Sequence, residues 1–252
     1  MYTVDLNADL GESYGNYSIG NDDEIIPLIS SANVACGFHA SDPSVMLETV
    51  QLIKKSGTTG IGAHPGFPDL MGFGRRYMDM SMPEVHAMVV YQLGALDGFC
   101  RMAGIEMNHV KPHGALYNAT FNDMALAETI AQAVKAYNPS LKLMGLSNQN
   151  LVKAGMAEGL AVRHEVFADR AYEDDGTLVS RRKEGAMITD TREAVRRVVR
   201  MVKEGRVESV NGKDIEIQAD SICVHGDGAK ALEFVKEIRK QLGTEGVTTQ
   251  TM

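Results

Sequence analysis

The sequence has no tryptophan, few other aromatic residues and only three cysteines among its 252 residues. The cysteines, Cys36, Cys100 and Cys223, lie far apart and form no CxxC pair. Such a scattered, odd-numbered set argues against a disulfide framework and against a zinc finger. We therefore expect reduced thiols and a cytoplasmic protein.

Long apolar runs are missing as well. The first residues, MYTVDLNADLGE, contain early acidic residues and no apolar segment of the kind that signal peptides have, and no stretch reaches the length of a membrane-spanning helix. The formal net charge is −8, which disfavours binding to nucleic acid or to an anionic membrane. An anionic small-molecule substrate would therefore need a local group of basic side chains.

The sequence does contain a regular alternation of apolar strand-like segments and helical segments. Strands are predicted at Tyr2–Leu6, Ser31–Gly37, Gly60–Ala63, Met107–Pro112, Leu141–Leu146, Leu160–Ala168 and Ser221–Val224. Alternating strands and helices predict a parallel sheet with helices outside it. The length suits a single barrel domain over residues 1–252.

Three segments depart from this rhythm. Alternation around Asn211-Gly212 predicts a hairpin inserted near residues 206–218. The polar tail from Gly243 is expected to be frayed. The charged segment Glu173–Glu184 has no periodicity, and it could be either a lid or a mobile surface loop.

Reactive side chains follow strands rather than helices. The residues in question are Asp9, His39, His64, His113, Arg170 and His225. Strand ends of a closed or nearly closed parallel barrel meet at one rim, so this pattern predicts one active site. The segment GIGAHPGFPDLMGFGRR, residues 60–76, shows the pattern most clearly, because a histidine stands where the strand ends and two arginines follow.

The motifs DLNADLGE, ACGFHASDP, GAHPGFPDLMGFGRR, VKPHGALYN, EVFADRAY and CVHGD resemble those of the LamB/YcsF family. The resemblance covers nearly the whole chain. It implies a distorted (β/α)7 TIM-like barrel of the glycoside hydrolase/deacetylase type. It also implies a component of the ATP-dependent 5-oxoprolinase, which hydrolyses 5-oxoproline to glutamate while ATP is cleaved to ADP and phosphate, together with partner subunits B and C.

That chemistry needs a base, cations for the phosphates and donors for the ring carboxylate. The catalytic candidates are Asp9, His39, His64, Lys111 and His113. Asp9 is the first choice for the base, although an Asp at this place could also form an Asx turn. The histidines could polarise the carbonyl, relay protons or bind metal.

Candidates for holding substrate or phosphate form a second set. They are Asn7, Glu12, Arg75, Arg76, Tyr117, Arg170, His225 and Asp227. Arginine suits phosphate and carboxylate groups because its planar fork donates two parallel hydrogen bonds. The alternative for the arginines is ion pairing with Asp69 or Asp169, and the alternative for residues 225–228 is a helix cap.

ATP enters this interpretation through the family alone, because the sequence has neither a GxxxxGK[ST] loop nor a complete GxGxxG loop. Related metal-dependent deacetylases bind their metal with an Asp and two His. Their first strand carries a motif that resembles NADD, whose second Asp binds the metal, and Leu10 stands at that position here. His64 and His113 remain possible ligands, but we expect no tightly bound zinc, whereas a more weakly held Mg²⁺ carried by ATP fits the sequence. Two other functions stay open: a metal-dependent deacetylase or amidohydrolase acting on a small amide or sugar, and a non-catalytic subunit that presents substrate.

Overall fold

A computed structural model describes residues 2–57, 59–224 and 231–251. His225 and Asp227 therefore lie outside the described residues. The strands are β1 (Tyr2–Leu10), β2 (Ser31–Ala35), β3 (Gly60–His64), β4 (Met107–Val110), β5 (Lys142–Leu146), β6 (Val162–Phe167), β7 (Arg206–Glu208), β8 (Asp214–Glu216), β9 (Ser221–Cys223) and β10 (Val247–Thr249). The α-helices are α1 (Asp22–Ile25), α2 (Pro43–Ser56), α3 (Met82–Ala103), α4 (Gly114–Ala119), α5 (Met124–Tyr137), α6 (Asn150–Ala157), α7 (Thr191–Glu204) and α8 (Ala231–Thr244).

Seven of these strands form a closed parallel barrel. The hydrogen-bonded order is β1, β2, β3, β4, β5, β6 and β9, and β9 pairs back with β1. In register, Asp5 of β1 and Glu165 of β6 both pair with Ser221 of β9, which closes the ring. The predicted distorted seven-stranded α/β barrel is confirmed.

The first strand explains why the interior of this barrel is polar. Leu6, Ala8 and Leu10 belong to the apolar core, and successive side chains of a strand point to opposite faces. The alternate residues therefore face the interior, where Asp5 accepts hydrogen bonds from the hydroxyls of Ser30, Ser31 and Ser221. Burial raises the pKa of Asp5 despite these bonds.

The two caps of helix α2 fix where the neighbouring loops end and begin. The Asp42 carboxylate accepts from the backbone N–H groups of Ser44 (2.8 Å) and Val45 (3.2 Å), with Pro43 in the first turn. Helix α2 ends at Gly57, whose φ of 70° lies in the left-handed region that favours glycine. The Asp42 cap fixes the chain shortly after His39.

Both ends of the chain differ from the prediction. Strand β1 continues to Leu10, so Asp9 lies within a strand and not in an Asx turn. The expectation of a frayed tail is wrong, because β10 pairs in parallel with the start of β1 and Thr251 Oγ1 donates to the backbone oxygen of Ser30 at 2.7 Å. A backbone that completes a strand pair is ordered regardless of the polarity of its side chains.

The hairpin near residues 206–218 is present, with β7 and β8 paired antiparallel. The charged segment before it is also folded, and we call residues 170–188 the flap. Two antiparallel bridges, Arg170–Met187 and Tyr172–Leu178, hold it together. Ala171, Val179 and Ala186 form a small buried cluster inside it. Among the described residues, no helix is both long and apolar enough to cross a bilayer.

Candidate active site

A cavity of about 710 Å³ lies at the carboxyl-terminal ends of the barrel strands. Eight of the residues predicted for the site line it: Asp9, Glu12, His64, Arg75, Lys111, His113, Tyr117 and Arg170. These residues come from widely separated parts of the sequence, so the closed barrel is what brings them together. The prediction that strand ends meet in one place is confirmed.

At the floor of this cavity a lysine lies between two carboxylates. Lys111 Nζ is 2.9 Å from Asp9 Oδ1 and 2.7 Å from Glu165 Oε1. Burial opposes the charge of Lys111, but the groups around it, led by Asp9, Cys223 and Glu165, raise its pKa well above the ordinary value. Lys111 therefore remains a cation at neutral pH and holds Asp9 at one position.

Buried amides orient Asp9 from a second direction. The Asn33 side chain donates to Asp9 Oδ1 at 2.9 Å and to Asn7 Oδ1 at 2.8 Å, while Asn33 Oδ1 accepts from His109 Nε2 at 2.8 Å. A Cβ atom at Gly62 would lie 2.3 Å from the His109 ring, so only glycine fits beside it. Asn7 was predicted to bind substrate, but it is fully buried and its amide serves this internal network.

Two histidines face each other through the ring nitrogens that have no carbonyl partner. His64 Nδ1 lies 2.7 Å from the Lys111 carbonyl, and His113 Nε2 lies 2.8 Å from the Phe73 carbonyl. A carbonyl only accepts, so both of these nitrogens carry a hydrogen. The remaining nitrogens, His64 Nε2 and His113 Nδ1, are 3.0 Å apart. Two lone pairs at this distance repel each other, so these nitrogens are suited to sharing a proton or to binding a metal ion.

A third histidine and a glutamate complete this cluster. His39 Nε2 is 3.3 Å from Glu12 Oε1, and the same oxygen is 3.6 Å from His113 Nδ1. The His39 and His113 rings stack with centroids 3.7 Å apart. Burial, together with the neighbouring imidazoles, lowers the pKa of both rings well below the ordinary value. His39 is completely buried, stacks on the His113 ring and is outside the cavity lining.

The donor set of this cluster fits a cation. Glu12, His39, His64 and His113 each offer one ligand atom, and these atoms lie within 4.8 Å of one another. Imidazole nitrogens and a carboxylate oxygen are ligands that divalent transition metals accept. The sequence suggested that the third ligand was missing at Leu10, but the Glu12 carboxylate stands close to the two facing histidines.

The three predicted arginines have different surroundings. Arg75 lines the cavity, with its guanidinium carbon 5.0 Å from the Phe73 ring centroid. Arg76 instead binds Asp69, with Nε 3.0 Å from Oδ2, and this contact lowers the pKa of Asp69 to about 2. The structure has the alternative considered for Arg76, pairing with Asp69, and Arg76 is outside the cavity lining. Arg170 lies at the base of the flap and lines the cavity.

Sequence reasoning gave no role to Glu165 or Asn33. Glu165 is fully buried, and its Oε2 accepts from the Tyr117 hydroxyl at 2.6 Å. The available signal was a charged residue in an apolar strand, VRHEVF, since glutamate is almost never fully buried without a partner. Asn33 in SANVA carries the same kind of signal.

The buried imidazoles predict a loss of stability in mild acid. Burial lowers the pKa of His109 from 6.5 to about 3. Below pH 6.5 the unfolded chain therefore binds a proton at His109 that the folded chain does not bind. The free energy of unfolding falls as pH drops from 6.5 towards 3. Denaturant unfolding across this range should show a His109 contribution approaching ~1.4 kcal/mol per pH unit. His109→Gln should remove about one proton from the slope, and an unchanged slope would contradict this assignment.

Comparison with known proteins gives one consistent result. A sequence profile of the LamB/YcsF family matches residues 4–252. A Clostridium beijerinckii protein named as a 5-oxoprolinase subunit is 60% identical over 247 residues, which are 98% of this chain and 96% of that protein. The Staphylococcus haemolyticus protein of the same name is 57% identical over 99% of both chains. A crystal structure of a lactam utilization protein from Thermus thermophilus is 47% identical, with a TM-score of 0.94 over 99% of this chain and 100% of that one.

Proposed function

The chain belongs to the LamB/YcsF family, and on that premise we propose that it is a subunit of an ATP-dependent 5-oxoprolinase. The reaction opens the lactam of 5-oxo-L-proline to L-glutamate while ATP is cleaved to ADP and phosphate. The names of the relatives support the substrate. The observation that supports a catalytic role is the position of Asp9. Its carboxylate lines the cavity, and Lys111, Asn33 and His64 fix its position.

The chemical difficulty is the stability of the lactam, because resonance protects the amide and the open chain recloses easily. Phosphorylation of the amide oxygen activates the ring carbon. Water then adds to this carbon, and the carbon–nitrogen bond breaks once the nitrogen is protonated. A second water hydrolyses the acyl phosphate that remains, which gives glutamate and phosphate.

The residues at the cavity match these proton transfers. Asp9 accepts the proton of the attacking water as the general base. Its Oδ2 is 3.2 Å from His64 Nε2, which in turn faces His113 Nδ1 at 3.0 Å. This chain of three groups can carry a proton to the ring nitrogen. The cationic Arg75 at the same cavity is suited to the ring carboxylate.

The sequence has neither familiar phosphate-binding loop, so the proposal includes partner subunits B and C together with ATP and its Mg²⁺. Three buried, free cysteines support a cytoplasmic location.

The cluster of Glu12 with three histidines favours one alternative, a metal-dependent hydrolase of a small amide. In that case His64, His113 and Glu12 would hold the metal ion, which would polarise the amide carbonyl as a Lewis acid. Asp9 would keep its role as base. The two functions share residues but differ in their need for ATP.

Reconstitution separates the two functions. The chain is purified and combined with its partner subunits, and glutamate formation from 5-oxoproline is measured with and without ATP. We expect glutamate only when ATP and this chain are both present. Hydrolysis without ATP that is abolished by a chelator would favour the metal-dependent alternative. Full turnover by the partners in the absence of this chain would contradict both.

A further inference from the structure

The flap presents basic side chains to the cavity, and Arg170 stands at its base. Arg170 exposes only 6% of its surface, and its Nη2 donates to the Val179 carbonyl at 2.6 Å. Its backbone oxygen accepts from Arg197 Nη2 at 3.1 Å. The side chain is thus held at one place by the flap itself, yet its buried Nε–H has no hydrogen-bond partner among the residues that the structure describes. A buried guanidinium N–H without a partner is costly, and Arg170 as a residue lines the cavity.

Further positive charge accumulates beside it. Arg181 and Arg182 are exposed residues of the flap that line the same cavity as Arg170. Burial and then repulsion by the nearby Arg181 lower the pKa of Arg170 to about 10, and Asp169 partly offsets them. An acidic residue of this wall, Asp175, already accepts hydrogen bonds from Thr177. An anion from outside the protein would relieve this repulsion.

The size of the cavity leaves room for such a group. Its volume of about 710 Å³ falls within the roughly 300–1,000 Å³ range of pockets that hold drug-sized ligands. A single five-membered lactam is far smaller than a ligand of that class. Arg75 and the Asp9 region suffice for the lactam, so the basic wall of the flap is available for a second group.

We infer that Arg170, Arg181 and Arg182 form a subsite for a phosphoryl group carried by the ligand. The inference rests on the proposed function for the identity of the reaction, and it adds the place where a phosphoryl dianion is bound. Guanidinium groups match the oxygens of a phosphoryl group through paired N–H donors. The phosphoryl group can belong to a nucleotide or to a phosphorylated small molecule, because both present the same oxygens.

Titration of the purified full chain with inorganic phosphate tests the subsite. Calorimetry at low salt should show that the double variant Arg181→Gln/Arg182→Gln binds phosphate at least about tenfold more weakly than the wild type. Lys183→Gln is the matched control, because Lys183 lies in the same flap but pairs with Glu173 at 2.8 Å. We expect its affinity to stay within about twofold of the wild type. Equal losses in both variants would mean a general charge effect and would overturn the subsite.

Arg170 needs a variant that keeps the flap folded. Arg170→Lys retains the charge but lacks the planar fork, and we expect about tenfold weaker phosphate binding at an unchanged melting temperature. Unchanged affinity in this variant would remove Arg170 from the subsite.

Two further titrations identify the ligand. Binding of a non-hydrolysable ATP analogue that depends on these arginines assigns the phosphoryl group to a nucleotide, whereas phosphate binding without analogue binding assigns it to a phosphorylated small molecule. If the double variant loses affinity for 5-oxoproline and keeps it for phosphate, the arginines bind a carboxylate and the inference is wrong.

Failure of the subsite and failure of the proposed function give different results. Asp9→Asn should bind phosphate at least as tightly as the wild type, since it removes a negative charge from the cavity. If that variant retains turnover, the proposed catalytic role fails while the arginine titrations stand. If it loses turnover and the arginine variants bind phosphate normally, only the subsite fails.

Discussion

Asp9→Asn should reduce turnover of 5-oxoproline by the reconstituted complex at least about 100-fold, the order of a general base's contribution. Asparagine has nearly the same shape and can still accept a hydrogen bond from Asn33, which donates to Asp9 Oδ1 at 2.9 Å in the wild type. The amide cannot take a proton from water. The loss should therefore appear in kcat, measured as glutamate formed per unit time at saturating 5-oxoproline and ATP.

The matched control for this variant is Asp79→Asn, which makes the same chemical change away from the cavity, at a residue outside its lining. We expect near wild-type turnover from the control. The melting temperature of Asp9→Asn should be measured alongside, because Lys111 loses one of its two carboxylate partners. Turnover within a few-fold of the wild type in a folded Asp9→Asn protein would show that Asp9 is not the base.

Lys111→Met should destabilise the fold by about 3–5 kcal/mol, the usual effect of removing one partner from a buried ion pair. The Lys111 side chain is 3% exposed, and without it the carboxylates of Asp9 and Glu165 face each other inside the barrel with no lysine between them. Because the pKa of Lys111 is raised above 10.5, its contribution is fully present below that value and disappears only in stronger alkali. Denaturant unfolding at pH 8 therefore measures the whole effect.

A second substitution tests the cause of this loss. Adding Glu165→Gln to Lys111→Met removes one of the uncompensated charges, so the double variant should be more stable than the sum of the two single losses predicts. Lys135→Met is the control on the surface. Its ion pair with Glu158 is 49% exposed on the lysine side, and such pairs contribute about 0–1 kcal/mol. A loss as small as this for Lys111→Met would contradict the buried-pair interpretation.

The sequence was sufficient to predict the strands and therefore the rim, although β1 runs to Leu10 and not only to Leu6. Apolar strands end at or near Asp9, His64, Lys111 and His113. Closure of the barrel then brings these strand ends together. A closed parallel barrel has only one rim at its carboxyl-terminal side, so residues far apart in sequence meet without any pairwise signal. The position of the site therefore follows from the strand pattern alone.

The roles within the site depend on contacts that the sequence does not encode locally. Arg76 and Arg75 are neighbours in the chain, yet one binds Asp69 and the other lines the cavity. Asn7 looks like a ligand-binding residue, but its amide is used by Asn33 and Ser221, which are 26 and 214 positions away. The role of Glu165 could not be predicted for the same reason, since its partners come from other strands and helices. These residues differ in where their side chains point in the folded barrel, which residue type alone does not reveal.

The strand that carries Asp9 obtains its neighbours from opposite ends of the chain. Strand β1 pairs with β2 early in the sequence, but its other partners are β9 and β10, the last two strands among the described residues. During translation the ring cannot close until Cys223 has left the ribosome, because β9 ends there. Contacts of such long sequence separation slow folding and leave strand edges exposed meanwhile. A nascent chain truncated before β9 should therefore be a substrate for chaperones and proteases, and the Asp9 carboxylate acquires its fixed position only after synthesis is almost complete.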